Sequence, residues 1–330
     1  MPDQSLRRDG EPKPVHKIPE VPWIWRDGEF IPWRDATVHV MSHVVVAGSN
    51  VFEGIRCYDT PSGPAIFRVR EHMRRLADSA RTYRMEIGYT EDELIEACGE
   101  LVRRNELEGC YLRPVVMRGY GVLGLNPLGS PIETYIVCFP WGPYLGERAL
   151  AEGVDVCVSS WRRPAPGTFP TMAKAAGNYL NAQLMKMEAV TNGYAEAIAL
   201  RPDGLVSEGS GENLFLVREG ELITSPVDGS MLVGITRDAI LTLAEDLGIP
   251  VRQQQIPRET LYGADEMFFC GTAAEVTPIR SVDRIPVGNG IVGEVTKRLQ
   301  RQFFGVARGE LPDRHDWLTP IGRPASVLAR

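Results

Sequence analysis

Lysine chemistry has few places to occur in this sequence. Of its 36 basic residues only five are lysines: Lys13, Lys17, Lys174, Lys186 and Lys297. Lys174 alone lies among small, mostly uncharged neighbours, in Thr171-Met172-Ala173-Lys174-Ala175-Ala176-Gly177-Asn178-Tyr179. Burial disfavours an ammonium, lowers its pKa and leaves an amine able to attack a carbonyl. Lys174 is therefore read as buried and functional. Lys186 shares the polar face of the following helix with Asn181 and Gln183, and Lys297 stands beside Arg298. Both read as solvated charges.

Ser207-Glu208-Gly209-Ser210-Gly211-Glu212-Asn213 leads into the apolar run Leu214-Phe215-Leu216. Two acids in a tight glycine segment can simply cap a turn. They can also serve a ligand: glycines let the backbone approach a flat ring while a carboxylate pairs with a cationic ring nitrogen. Gly234-Ile235-Thr236-Arg237-Asp238 opens a helix, and Gly271-Thr272-Ala273-Ala274-Glu275 follows a strand. Each offers backbone N–H groups and a threonine hydroxyl to a phosphate. Singly, each is an ordinary N-cap or turn. Together with a reactive lysine and a carboxylate they describe one ligand, an aldehyde with a pyridine nitrogen and a phosphate. That ligand is pyridoxal phosphate.

Two other motifs lose their function on inspection. Gly119-x-Gly121-x-x-Gly124 has the letters of a dinucleotide fingerprint. However, Leu125-Asn126-Pro127 ends any helix after it, and no acid stands at a strand end about 20 residues on. It reads as a mobile glycine loop. His39-x-x-x-His43 has metal-like spacing on a helix, but Thr37-Val38-His39-Val40 reads as a strand and no third ligand is near. These are expected to be structural histidines, with no metal.

The elements that must position these residues alternate between strand and helix patterns. Residues 23–33 form a hairpin about Asp27-Gly28. Residues 70–84 have helical spacing, with Met73, Leu76, Ala77, Ala80 and Arg84 on one face, which turns Arg75 to solvent. Thr90-Glu91-Asp92-Glu93 is a capping box opening a helix to about Asn105. Strands are expected at 111–117, 134–139, 154–159, 195–200 and 266–270, with a hairpin at 213–224 and extended chain at 251–256. Helices are expected at 175–190, 237–247 and 293–304. The Gly- and Pro-rich segment 140–153 breaks the pattern and reads as a linker. Many strands are joined by tight turns, which makes the fold α+β with two domains.

Composition narrows the function. The chain has 330 residues, a net charge of −7 and well-mixed charges, so it shows no basic face for nucleic acid. No apolar run approaches the roughly 18 residues of a membrane span. The polar, proline-rich segment 1–22 is not expected to act as a secretory signal. The six cysteines, mostly embedded in apolar runs, fit core residues in a reducing cytoplasm.

Several separate stretches resemble the branched-chain aminotransferases, class IV enzymes of pyridoxal-phosphate fold type IV. They are His39-Val40-Met41-Ser42-His43, Val51-Phe52-Glu53-Gly54-Ile55-Arg56-Cys57-Tyr58, Phe139-Pro140-Trp141-Gly142, and the segments around Lys174, Glu208, Thr236 and Thr272. The resemblance runs from about Trp23 to Phe304. It implies a fold similar to D-amino acid aminotransferase, with a small N-terminal α/β domain, a larger C-terminal domain and the cofactor at their interface. The corresponding boundaries are an arm at 1–22, the small domain at 23–139, a linker at 140–153 and the large domain at 154–330.

Carried over by position, the resemblance implies that Lys174 bonds the cofactor aldehyde and shuttles the proton. Tyr179 bonds the phenolic oxygen, and Glu208 keeps the pyridine nitrogen protonated. Arg75, Ile235, Thr236 and Thr272 bind the phosphate, while Leu232 and Gly211 sandwich the ring. Phe52, Tyr111, Trp141, Tyr144 and Ala273 line the substrate pocket, with Arg113 available for a carboxylate. Leu123 and Leu125 reach the pocket of a partner subunit. One departure stands out: Val46-Ala47-Gly48 replaces the family's usual His-Tyr-Gly, so Ala47 stands where a partner-subunit tyrosine is usual.

The implied reaction moves an amino group between Leu, Ile or Val and 2-oxoglutarate, in a cytoplasmic homodimer or higher homo-oligomer. Its partners are small amino and 2-oxo acids, not nucleic acid or membrane. The alternatives are a transaminase for (R)-amines or D-amino acids, which the loss of the tyrosine at Ala47 favours, an aminodeoxychorismate lyase, or a non-catalytic relative.

Overall fold

A computed structural model of the chain describes residues 18–322. The arm through residue 17, with Lys13 and Lys17, lies outside the described residues, as do residues 323–330. Asp27 and Gly28 take positive φ of 43° and 91°, which folds strand Trp23–Arg26 back on Glu29–Pro32. Such a turn matches the right-handed twist of the strands it joins.

This hairpin edges an eight-stranded sheet. From the other edge inward the order is Leu318–Pro320, Ala65–Phe67, Ile55–Tyr58, Cys110–Arg118 and Ile132–Phe139, and then the hairpin. Asn50–Phe52 also pairs with Cys110–Arg118, and every pairing is antiparallel. The last strand returns across the molecule to this sheet, a partner outside the boundaries drawn from sequence. Helices Val69–Thr82 and Glu91–Arg104 cover it, burying Met73, Leu76, Leu101 and Val102 against Leu112 and Ile136. Thr90 and Glu93 form the reciprocal capping box.

The second sheet has nine strands and mixed direction. Val154–Arg162 pairs in parallel with both Glu196–Leu200 and Glu275–Val282. Helices Ile235–Asp246 and Glu294–Ala307 pack Leu243 and Phe303 into the core with Phe215 and Phe268. Helix Ala176–Thr191 packs Met185 and Ala189 on Cys157, Ala197 and Ala199. The architecture is α+β.

Arg56 ties the two sheets together. Its buried guanidinium donates to the carbonyls of Thr272 (3.0 Å), Ala273 (3.0 Å), Trp141 (3.1 Å) and Gly142 (3.1 Å).

Two local expectations are corrected. Residues 37–40 form no strand; His43 instead opens the short helix His43–Ala47. Segment 140–153 contains helix Glu147–Glu152, held between Gly146 and Gly153. The extended chain at 251–256 includes strand Val251–Gln253. The glycine loop opens no helix, as expected.

Candidate active site

A cavity of about 290 Å³ is lined from both sheets. Lys174 is pinned at its edge by backbone bonds. Its N–H donates to Ser79 Oγ (3.0 Å), and its carbonyl accepts from Phe52 N–H (3.0 Å). Lys174 Nζ donates to the Tyr179 hydroxyl at 2.6 Å and lies 5.1 Å from the centroids of both the Phe52 and Tyr179 rings. The residue is half-buried rather than buried, because its amine faces the cavity.

Glu208 lies on strand Val206–Gly209 and is buried. Its Oε2 accepts from Leu232 N–H (3.2 Å) and Asn213 Nδ2 (3.4 Å). Arg163 Nε stands 2.9 Å from Oε1, out of line for a hydrogen bond, so that contact is electrostatic. Burial pushes the Glu208 carboxyl above its ordinary pKa, opposed by Arg163, Leu232 N–H and Lys174. Among the described residues nothing donates a hydrogen bond to Oε1. A cationic ring N–H fits that acceptor.

Helix Ile235–Asp246 begins with no side-chain cap, which leaves the first N–H groups, including those of Ile235 and Thr236, for a ligand. Glycine is required just before it: a Cβ on Gly234 would lie 2.0 Å from Asn213 Oδ1. Thr272 lines the same cavity, as do Leu232 and Gly211.

Arg75 joins this group, contrary to the helical-wheel expectation of solvent. Its Nε and Nη2 donate to Glu53 at 2.6 and 2.8 Å, and Nη1 donates to the Val233 carbonyl at 3.0 Å. Burial would raise the Glu53 pKa, but Arg75, with His72, holds the carboxyl well below the usual carboxylate range. Arg75 is held cationic in turn; burial works against the charge and Glu53 outweighs it.

Phe52, Tyr111, Arg113, Trp141, Tyr144 and Ala273 line the cavity. Gly54 is needed here, since a Cβ would lie 1.9 Å from the Tyr111 hydroxyl. Ala47, Leu123 and Leu125 lie outside their own chain's cavity and are exposed. Their segments meet through His43 Nε2 and the Gly124 carbonyl (3.0 Å), which gives His43 a structural role. No group of residues able to hold a metal occurs among the described residues.

Lys186 overturns its reading as a solvated charge. Its Nζ bonds Glu196 Oε2 (2.7 Å) and the Ala195 carbonyl (2.6 Å), and the residue lines the cavity. Lys297 is exposed, as expected. Arg163, Glu53 and Glu196 were not singled out as site residues. Their partners come from remote segments, and no local spacing marks them.

One cavity between two sheets thus gathers a lysine amine, a buried carboxylate and an uncapped helix start. The chain belongs to the class IV amino-transferases: that family's model matches residues 50–282. It is 54% identical over 300 residues to the branched-chain-amino-acid aminotransferase of Salmonella typhimurium, covering 91% of this chain and 97% of the relative. The crystal structure of the Escherichia coli branched-chain amino acid aminotransferase superposes with a TM-score of 0.90 at 53% identity, covering 92% of this chain and all of that one. The branched-chain amino acid aminotransferase of Thermobaculum terrenum, solved in its PLP-bound holo-form, gives a TM-score of 0.86 at 36% identity, covering 92% of this chain and 99% of that one. Among the described residues no helix is long and apolar enough to cross a membrane.

Proposed function

We propose that this protein is a branched-chain-amino-acid transaminase that exchanges an amino group between Leu, Ile or Val and 2-oxoglutarate, with pyridoxal phosphate as cofactor. One observation carries the reading. A lysine amine bonded to a tyrosine hydroxyl, a buried carboxylate with an open acceptor, and an uncapped helix start beside an arginine all line one cavity with a row of aromatic rings.

The donor set fits the cofactor. Lys174 Nζ would hold the aldehyde and Tyr179 the phenolic oxygen. Glu208 would accept from the ring N–H, and Leu232 and Gly211 would flank the ring. Arg75, the N–H groups of Ile235 and Thr236, and Thr272 would hold the phosphate. When bound, pyridoxal phosphate supplies a carbonyl that condenses with amines and a ring that accepts electrons.

The chain's own residues then divide the work. Lys174 Nζ would take the proton from the donor Cα. Tyr179, at 2.6 Å, orients that nitrogen. Arg163 opposes the burial that would protonate Glu208. Phe52, Tyr111, Trp141, Tyr144 and Ala273 exclude water and cover an aliphatic side chain, while Arg113 meets a carboxylate. Each methylene is worth only roughly 1–3 kcal/mol, so Leu, Ile and Val should be discriminated weakly.

The working unit is a homodimer in the cytoplasm. The exposed apolar side chains Val45, Val46, Leu123 and Leu125 support the first part, and six free cysteines support the second. Ala47, Leu123 and Leu125 then act on the partner's pocket. Residues 23–139, joined by strand Leu318–Pro320, and residues 154–317 serve as its two domains. An amino-donor screen with 2-oxoglutarate and pyruvate tests the reading. L-Leu, L-Ile and L-Val with 2-oxoglutarate should be the best pairs. Turnover confined to D-amino acids or (R)-amines would overturn it.

A further inference from the structure

A second cavity, of about 1010 Å³, opens between helices Val69–Thr82 and Glu91–Arg104 and the sheet they cover, and no residue lines both it and the active-site cavity. Met73, Met85, Leu94 and Ile132 give it an apolar wall. Arg118, the last residue of strand Cys110–Arg118, lines the same cavity and is buried. Its Nη2 donates to the carbonyls of Tyr83 (2.8 Å) and Arg84 (3.2 Å), and its Nη1 to that of Pro127 (2.8 Å). Among the described residues no carboxylate pairs with it, so burial lowers its pKa with no acid to oppose it. A guanidinium stays charged even so. Two of its five N–H donors, Nε–H and one on Nη1, are left for a ligand.

Ser130 stands beside that charge. Its N–H and Arg118 Nη1 donate to the same Pro127 carbonyl, at 3.0 and 2.8 Å. Its hydroxyl is buried, lies in the lining and has no partner among the described residues. A buried hydroxyl is ordinarily hydrogen-bonded, and a buried cation is ordinarily paired. The other charged residues of the lining cancel, Arg81 and Arg84 against Glu86 and Glu91, which leaves the charge of Arg118 uncompensated. We propose that this cavity is a second ligand site, which takes an aliphatic monocarboxylate: the carboxylate on Arg118 and Ser130, the tail along Met73, Met85, Leu94 and Ile132. A bare inorganic anion would use the cation and the hydroxyl and leave the apolar wall wet; an aliphatic amine would use the wall and meet the wrong charge. The inference stands apart from the transaminase reading.

The test titrates the holoenzyme with butyrate, hexanoate and octanoate and follows the methyl resonances of Met73 and Met85 by NMR. Both methionines line this cavity and no methionine lines the active-site cavity, so the signal reports the second site. Both methyls should shift saturably, and Kd should fall about three- to fourfold with each added methylene, the value of burying one. Hexylamine, with a cationic head on a similar tail, should not saturate. Ser130→Ala should raise the Kd for hexanoate about tenfold or more, as for a lost bond to a charged group. That hydroxyl bonds nothing in the protein, so Ser130→Ala decides the matter even if Arg118→Met, which strips three carbonyls of their donor, misfolds. No saturable shift with any of the acids, hexylamine or inorganic phosphate binding as tightly as hexanoate, or a wild-type Kd in Ser130→Ala would each overturn the proposal. None of these outcomes bears on turnover at Lys174.

Discussion

Glu53→Gln is a direct test of how the site is braced. Glu53 is fully buried, and its carboxylate accepts four bonds: two from Arg75 (2.6 and 2.8 Å), one from His72 Nδ1 (2.7 Å) and one from Gly54 N–H (3.2 Å). Glutamine keeps the shape, removes the charge and places a second set of donors against Arg75. Breaking a buried ion pair from one side costs about 3–5 kcal/mol, a large share of the roughly 5–15 kcal/mol that holds a domain folded. The expected fall in Tm at pH 7 is at least about 5 °C.

The pH dependence has a definite sign. The Glu53 pKa is lower in the folded protein than its ordinary value of 4.5. Its contribution is therefore complete above that ordinary value and is lost as pH falls through the folded-state value. Thermal and urea unfolding of wild type and variant should show a gap that is widest at neutral pH and narrows in acid. A gap under about 1 kcal/mol at pH 7, or one that ignores pH, would refute the bracing role.

Two further predictions follow from the carboxylates. Glu208→Gln should lower kcat by roughly 100-fold or more with little change in KM, because the interaction matters most in the transition state; steady-state kinetics with circular dichroism as a folding control checks it, and near-wild-type kcat would make Glu208 a turn residue. Burial first, and then Glu196, pushes the Glu212 carboxyl up from an ordinary 4.5 to about 8, so between those values the folded state holds a proton that the unfolded chain has released. Wild-type stability should then fall relative to Glu212→Gln as pH rises from about 5 to 8, by up to about 1.4 kcal/mol per unit. Parallel urea-unfolding profiles would contradict this.

What the sequence made legible was local chemistry. The Asp27-Gly28 turn, the Thr90 capping box and the apolar helix faces each follow from neighbours within a few residues. Lys174, Glu208 and Thr236 stood out because small residues or glycines flank them. Three features depend on distant partners and were misread or passed over. Arg75 sits off the apolar stripe of its helix, and nothing local shows that Glu53, 22 residues earlier, waits there buried. Lys186 looked solvated because Glu196 comes from the adjacent strand rather than the same helix face. Strand Leu318–Pro320 gave no sign that it returns to the first sheet. Helix Glu147–Glu152 was hidden by its flanking glycines, which mark a break by composition while bounding a short turn of helix.

The central claim is that Lys174 is the amine that holds the cofactor carbonyl. Borohydride reduction of the holoenzyme followed by peptide mapping tests it most directly. The account predicts a single pyridoxyl label on Lys174, absent from Lys174→Ala. A label on Lys186, the other lysine lining the cavity, would contradict it.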